Sequence, residues 1–309
     1  MTEKAAEGGK TVAPATRPEL RDDGGVTSIT IEPAAGALGA FVTGIDLTAP
    51  LDPDLVAELR TAVIEHLVVF LPDQDMTLDH LETLTDALGG RDVTPFVKPV
   101  EDRPNVIRVI KEPEDELNFA NAWHTDLSYL PAPPSFTLLH AWEVPSHGGD
   151  TVWANQYLAY DTLSSGLKHT LSELTALHSA GMAYGTGGYL ESVKHKTSMA
   201  IEPSADAYRQ QTHPVVTRHP ESGKPALYVN PVYTTRFDGW AAAESQALLG
   251  HLYRHSVNEN FTCRLRWQRH TLAIWDNRCT QHNALNDYRG HRREMFRTSV
   301  KGTAPVAYA

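Results

Sequence analysis

The sequence predicts a mainly β fold with helical additions, a jelly roll or related barrel. Short apolar runs separated by Gly, Pro, Asn and Asp clusters recur along the chain, most regularly in its C-terminal third. Helical periodicity is confined to a few segments that would lie at the edges of such a fold. No G-x-G-x-x-G follows a strand, which disfavours a nucleotide-binding α/β fold.

At 309 residues and 41% hydrophobic content the chain can bury one substantial core, and residues 26–309 are expected to form one domain. A formal charge of -11 argues against a general nucleic-acid binder, because little would neutralise a phosphate backbone. No apolar run is long enough to span a bilayer and no signal peptide is evident, so no membrane partner is expected and a cytoplasmic setting is. Cys263 and Cys279 have no CxxC partner and are read as free thiols in a reducing compartment.

Residues 1–25 are rich in Ala, Gly, Pro, Thr and charge, the composition of a disordered tail. Val26 to Ile31 alternates and Ala40 to Leu47 follows a Gly-rich turn, so two strands are expected. Asp52 and Pro53 offer an N-cap and a first-turn proline for a helix carrying Leu55, Val56, Leu59, Ala62, Val63 and His66. Leu67 to Leu71 suits a buried strand, and Thr77 caps a second helix that closes at Gly89-Gly90. Arg91 to Asn121 is irregular apart from a strand at Val106 to Ile110, and it reads either as a pocket wall or as a solvated connector.

Phe136 to Trp142 is a strand, after which Gly148-Gly149 makes a tight turn that delivers Thr151 and Trp153 into the next one. A helical region runs from about Gln156 to Leu174, capped by Asn155 and again by Ser164 or Ser165. Tyr184 to Tyr208 has little periodicity and several glycines, as a mobile active-site lid or plain disorder would. Beyond it come strands at Thr212 to Arg218 and Ala226 to Asn230, and a helix around Ala241 to His255. Phe261 to Trp267 and Thr271 to Trp275 read as a hairpin, and Met295 to Val300 as a closing strand.

H-x-[DE] occurs three times, and geometry separates the copies. His80 and Glu82 fall in a helical stretch, where residues two apart point to nearly opposite sides. His219 and Glu221 sit at a Pro- and Gly-marked turn and read as solvated. His124 and Asp126 lie in Trp123-His124-Thr125-Asp126, which has no helical period, and on a strand or strand end both would face the same way. With the distant His282, which alone would read as an ordinary loop histidine, they make two imidazoles and a carboxylate. That set can hold one face of an octahedral metal and leave the other open.

Trp123-His124-Thr125-Asp126, Gly148-Gly149-Asp150-Thr151, His213-Pro214-Val215-Val216 with His219-Pro220, Leu227-Tyr228-Val229-Asn230, Trp275-Asp276-Asn277 through His282, and Arg293 with Arg297 appear in order. Together they resemble the taurine dioxygenase and TfdA-type family of Fe(II)/2-oxoglutarate-dependent dioxygenases. In the wording of Phe261 to Trp267 and Trp275 to Tyr288 the chain is most similar to the R-selective aryloxypropionate branch. The resemblance implies a double-stranded β-helix and the cofactors Fe(II), 2-oxoglutarate and O2, with His124, Asp126 and His282 as metal ligands. It also implies oxidative decarboxylation of 2-oxoglutarate to succinate and CO2, coupled to hydroxylation of a small anionic substrate, with or without fragmentation.

The far carboxylate of 2-oxoglutarate needs a buried bidentate cation, for which Arg293 is the choice. Thr151 adds a hydroxyl as the family pattern implies, and Trp275 is expected to pack against the same site. Arg292 would point to the opposite face, toward solvent. The carboxylate at position 126 argues against a halogenase. Sulfonate-cleaving relatives carry a histidine after the second helix and an asparagine four residues before the first ligand; here Arg91 to Lys98 has no histidine and position 120 is Ala, which counts against taurine. An aryloxyalkanoate-type acid is therefore expected, with a taurine-like sulfonate or a specialised amino acid or nucleotide as alternatives. A metal-binding jelly roll without turnover is the different-class reading. Arg297 would meet the substrate's anionic head, with Lys111, Asn121, Phe96, Tyr129 and Tyr189 as further pocket candidates. The family resemblance also implies a dimer or tetramer.

Overall fold

The structure, a computed structural model, describes residues 29–309. The expected tail, 1–25, and the first residues of the expected opening strand, Val26 to Ser28, lie outside them. The described part of that strand is β1 (Thr30–Pro33), which pairs antiparallel with β2 (Ala40–Thr43). Helix α1 (Pro53–His66) begins as its sequence dictates: the Asp52 carboxylate accepts from the Asp54 N–H, and Pro53 occupies the first turn, where no N–H is needed. Leu67, at φ 67°, turns the chain out of α1 and into β3 (Val68–Leu71). Thr77 caps α2 (Leu78–Ala87), whose His80 side chain accepts in return from the Thr77 N–H.

The chain continues through β4 (Arg91–Asp92), β5 (Ile107–Lys111), β6 (Phe136–Glu143) and β7 (Thr151–Asn155). The predicted helical region divides at Ser164 into α3 (Gln156–Asp161), capped by Asn155, and α4 (Ser165–Ser172), capped by Ser164. Next come β8 (Thr175–Ser179), α5 (Gly181–Tyr184) and α6 (Tyr189–Ser192). Strands β9 (Gln210–Pro214), β10 (Val216–Arg218), β11 (Pro225–Leu227) and β12 (Thr234–Phe237) lead to α7 (Ala242–Ser256). The last strands are β13 (Thr262–Leu265), β14 (Leu272–Asp276), β15 (Thr280–Ala284) and β16 (Arg293–Val300).

The large sheet runs β1-β2-β3-β14-β6-β16, and the free edge of β16 takes β5 along Arg293–Arg297 and β4 along Ser299–Val300. Facing it are smaller antiparallel sets, β13-β7-β15, β12-β8-β9 and β10-β11. This is the two-layered double-stranded β-helix. Between the layers Phe70, Leu139, Ala273, Trp275 and Met295 meet Trp153, Leu265 and Trp267. The alternate residues Val69, Leu71, Leu138 and Ile274 face the other way, onto Leu59, Val63, Leu81 and Leu84 of α1 and α2. Burial on both faces explains why β3 and β14 read as continuous apolar runs, each large side chain contributing about 2 kcal/mol. A third cluster packs α3, α4 and α7 on the smaller sets through Leu171, Val216, Phe237, Leu249 and Leu252.

One expectation of strand pairing is corrected. Phe261 to Trp267 and Thr271 to Trp275 are not a hairpin: β13 pairs with β7 in the small layer, whereas β14 pairs with β3 and β6 in the large one. The short connection, with His270 at φ 64°, crosses between layers, and strand spacing cannot distinguish a crossing from a hairpin. Tyr184 to Tyr208, for which a lid and disorder were both open, holds the last residue of α5, then α6 and two 3-10 turns, and contributes Tyr184, Tyr189, Leu190, Val193, Thr197, Met199 and Ile201 to the lining of a cavity. Strands β8, β12 and β15 were not anticipated, because their residues are polar or mixed and become buried only by their neighbours. No helix among the described residues is long and apolar enough to cross a membrane.

Candidate active site

His124 and His282 are joined by a single antiparallel bridge, each backbone N–H donating to the other's carbonyl at 3.0 and 2.8 Å. The expected strand around His124 is therefore one bridge residue, enough to set the rings side by side with centroids 4.2 Å apart. The chain turns at Leu127, φ 52°, directly after Asp126. The ligand-type atoms of His124, Asp126 and His282 all lie within 4.8 Å of one another, and all three residues are buried. His124 Nδ1 sits 2.8 Å from the Ala122 carbonyl, which can only accept, so Nδ1 carries the proton and Nε2 keeps its lone pair. Burial and the neighbouring His124 push the His282 imidazole well below its ordinary value, toward the neutral, ligating form. Burial alone would raise the Asp126 carboxyl; the Arg297 guanidinium, 3.1 Å from Oδ1, leads the interactions that outweigh it and hold the group ionised.

Asp126 is oriented from behind. The Thr137 hydroxyl donates to its Oδ2 at 2.8 Å, Asn277 Nδ2 donates to Thr137 at 2.8 Å, and Trp275 Nε1 donates to Asn277 Oδ1 at 3.0 Å. Trp275 also lies against His282, with ring centroids 4.8 Å apart.

Beside this cluster a small cavity is lined by Val109, Thr151, Trp275, His282, Arg293 and Arg297 among others, so all three predicted cosubstrate residues meet there. Arg293 is 3% exposed, and its Nε and Nη2 have no hydrogen-bond partner among the described residues. Burial lowers its pKa, the cost of a cation held away from water and unpaired. Trp267 Nε1 donates to Thr151 Oγ1 at 2.9 Å, which leaves the threonine proton free to donate elsewhere. Arg292, as expected, faces the other way, but it is tied to Glu112, Glu143 and Glu294 rather than freely solvated.

A second cavity of about 170 Å³ opens on the other side of Arg297 and reaches His124 and Asp126. The irregular segment before His124 forms one wall through Leu117, Phe119 and Asn121, and Tyr184, Tyr189, Met199 and Ile201 form the opposite one. Arg297 is shared by both cavities; its Nη1 lies 3.1 Å from Asp126 Oδ1, while Nε and Nη2 are unpartnered.

The description "Taurine catabolism dioxygenase TauD, TfdA family" matches residues 30–299. The chain belongs to this dioxygenase family. It is 33% identical over 279 residues to the alpha-ketoglutarate-dependent sulfate ester dioxygenase of Pseudomonas putida, covering 90% of this chain and 91% of that one. It is 28% identical to the (S)-phenoxypropionate/alpha-ketoglutarate-dioxygenase of Delftia acidovorans, over 91% of this chain and 99% of the relative. Among solved structures, a taurine dioxygenase from Burkholderia xenovorans superposes with a TM-score of 0.76 at 31% identity, covering 91% and 93% of the two chains.

A TauD/TfdA dioxygenase is an enzyme that uses Fe(II), 2-oxoglutarate and O2. The residues present fit those groups: a buried His, Asp and His with converging ligand atoms, and a buried, unpaired guanidinium at the far end of the adjoining cavity. Of the expected substrate residues, Arg297, Asn121 and Tyr189 line the larger cavity of this dioxygenase. Phe96 and Tyr129 do not line it; they stack behind Tyr184, at 5.8 and 6.4 Å. Lys111 is also away from it, buried under the ring of Tyr288. Thr137, Asn277, Trp267, Tyr184 and Tyr233 were missed, because nothing in a lone Thr, Asn or aromatic residue marks it as facing a site before the layers are assembled.

The turn at His219 is a further correction. His219 is 1% exposed, its Nε2 donates to Asp276 Oδ2 at 2.9 Å, and its Nδ1 accepts from the Glu221 and Ser222 backbone. Asp276 is also held by Arg278, so the middle residue of Trp275-Asp276-Asn277 anchors the turn while its neighbours are linked through Thr137 to Asp126. Cys279 lies close to this pair, but with His219 Nε2 committed as a donor the group has no second free ligand nitrogen. Both cysteines are buried and free.

Proposed function

We propose that this dioxygenase hydroxylates an amphiphilic monoanion, an alkyl or aryl group carrying one sulfate ester, sulfonate or carboxylate, at the carbon nearest the metal. The carrying observation is the charge inventory of the larger cavity: among the described residues that line it the only Lys or Arg is Arg297 and the only carboxylate is Asp126, and the walls are mostly Leu, Val, Ile, Met, Ala and aromatic side chains, with Asn118, Asn121, Thr94 and Thr197 as neutral polar groups. One anionic head can be met by the free Nε and Nη2 of Arg297. The ammonium of taurine or an amino acid would find no carboxylate of its own, and a nucleotide's several charges would be unmatched. A volume of about 170 Å³ compares with the roughly 150 Å³ of a cavity that accepts benzene, which suits a short alkyl chain or one aryl ring.

In this reading His124, Asp126 and His282 hold Fe(II), Arg293 and Thr151 bind the far carboxylate of 2-oxoglutarate, and Trp275 packs against it. The bound iron, with 2-oxoglutarate and O2, supplies the oxidation: one oxygen atom goes to succinate, CO2 leaves, and the other enters a substrate C–H bond. The protein's part is positional. Arg297 fixes the head, the apolar walls hold the chain and exclude water, and residues 184–208 act as the cover of a single domain spanning 26–309. If the hydroxylated carbon bears an ester or ether oxygen, the adduct collapses to a carbonyl compound and releases sulfate or a phenol.

Sulfate esters and phenoxypropionates, after which two relatives are named, both carry such an oxygen, and the greater identity to the sulfate ester relative makes alkyl sulfates the first substrates to try and aryloxyalkanoates the next. The test is succinate formation with a panel of alkyl sulfates of graded length, 2-aryloxypropionates, alkanesulfonates and taurine. Turnover of the hydrophobic monoanions with little on taurine is expected; taurine or an amino acid as the best substrate would reject the reading.

A further inference from the structure

Lys111 is 2% exposed, its Nζ has no hydrogen-bond partner among the described residues, and it rests 4.7 Å from the centre of the Tyr288 ring. Its position in the sheet explains where it points. On the β5–β16 ladder Lys111 is the direct partner of Arg293, and Val109 the partner of Met295. Partners across an antiparallel pair, and residues two apart on one strand, share a face. Val109 lines the cavity that Arg293 enters, so Lys111 lies on the same face at the Arg293 end, away from His282.

Two buried basic residues are therefore direct partners on one face of the sheet, and neither has a carboxylate in a salt bridge with it among the described residues. The nearest carboxylate to Lys111, Asp115, is occupied by the Glu112 and Ser198 N–H groups and the Ser198 hydroxyl. A buried ammonium without a hydrogen-bond partner is costly, so its retention beside Arg293 calls for an explanation. Two more polar groups are unsatisfied at the same end: Asn118 Oδ1, and the Tyr288 hydroxyl, which neighbours both Asn118 and Arg293.

We propose that Lys111 is a second cation of the cosubstrate site, holding the far carboxylate of 2-oxoglutarate together with Arg293, with the Tyr288 ring seating the ammonium and its hydroxyl completing the set. This rests on the reading that Arg293 marks the distal end of 2-oxoglutarate. A carboxylate has lone pairs enough for a guanidinium fork and an ammonium together. Lys111 thereby makes the site selective for a 2-oxo dicarboxylic acid over a 2-oxo monocarboxylic acid.

The experiment is calorimetric titration of the Mn(II)-loaded protein, which binds without turning over, with 2-oxoglutarate and with 2-oxobutyrate, which lacks the far carboxylate. Lys111→Met should weaken 2-oxoglutarate at least about ten-fold and leave 2-oxobutyrate nearly unchanged. The same variant should melt at a higher temperature than the wild type when ligand-free, since an unpaired buried charge has been replaced by an apolar chain. Unchanged 2-oxoglutarate affinity, or equal losses for both ligands, would overturn the proposal. If Lys111→Met does not fold, Tyr288→Phe decides by the same ligand comparison, a loss confined to 2-oxoglutarate supporting it and no such loss overturning it. A wild-type protein that binds Mn(II) but not 2-oxoglutarate would reject the underlying reading as well.

Discussion

The Thr137 hydroxyl donates to Oδ2 of Asp126 at 2.8 Å, and this bond is the last in a chain with only one possible direction. The indole N–H of Trp275 can only donate, so Asn277 must present its carbonyl oxygen to it and its amide nitrogen to Thr137. Thr137 then has its proton left for Asp126. One carboxylate oxygen is thus held from behind, and the other, Oδ1, is turned to the side where His124 Nε2 lies 3.6 Å away.

If the chain orients a metal ligand, Thr137→Val and Asn277→Ala should each lower Fe(II) or Mn(II) affinity by roughly 10- to 100-fold while leaving the circular dichroism spectrum intact. Thr137→Ser, which keeps the hydroxyl, should bind metal nearly as well as the wild type. Equal metal affinity in all three would show that Asp126 needs no support.

Trp267 is expected to act comparably beside Arg293, at the end proposed for the cosubstrate. Its N–H bonds Thr151 Oγ1 at 2.9 Å, and the Arg293 guanidinium lies 5.7 Å from its ring centre. Trp267→Phe keeps most of the ring and removes the N–H, so 2-oxoglutarate affinity should fall by a factor equivalent to about 1 kcal/mol. Thr151→Val should show a loss of similar size, and the double variant should be little worse than either single one, since both remove the same oriented hydroxyl. Additive losses in the titration would mean the two residues act independently.

Much of this was legible in the chain and some was not, for physical reasons. Caps at Asp52, Thr77, Asn155 and Ser164 are local chemistry, and all four begin helices where the sequence indicated. His124 and Asp126 could be picked out because theirs is the one H-x-[DE] copy without a helical period or a turn signal, and His282 because it completes a set that resembles a known family; the three ligand-type atoms do converge. The partner of β13 could not, because pairing is decided by layers far apart in sequence. His219 was misread for the same reason: a Pro- and Gly-marked turn is normally solvated, and only Asp276, brought up from β14, makes this one a buried anchor. Lys111 was expected in the substrate pocket and lies away from the larger cavity, because its register partner is Arg293 and its ammonium packs on Tyr288.

The Asp276 anchor has a pH signature. Burial would raise its carboxyl, but Arg278 and His219 pull it from 3.8 down to about 2. A folded value below the unfolded one means the unfolded chain binds more protons, so this contribution is complete above the ordinary carboxylate value. It is lost as pH falls through about 2. Asp276→Asn should therefore destabilise the protein by about 3 kcal/mol near neutrality, leaving the His219 turn without its anion and Arg278 with only the more exposed Glu221. The gap between variant and wild type in urea denaturation should narrow only below about pH 4. A gap that does not vary over that range would place the stabilisation in shape rather than charge.

The cover residues should set substrate size. Val193 lines the larger cavity between α6 and the following 3-10 turn, opposite the wall formed by Leu117 and Phe119, and is only partly buried. Because it sits on the outer cover rather than on a sheet, Val193→Trp can fill the cavity without disturbing the layers that carry His124, Asp126 and His282. Each methylene that no longer fits is worth about 1–3 kcal/mol of discrimination, so kcat/KM for the longest accepted chain should fall ten-fold or more. The shortest accepted substrate should be turned over nearly as before, with 2-oxoglutarate affinity unchanged. A uniform loss across chain lengths would instead indicate that the substitution disturbs closure of the cover, and that the cavity wall at Val193 does not measure the substrate's length.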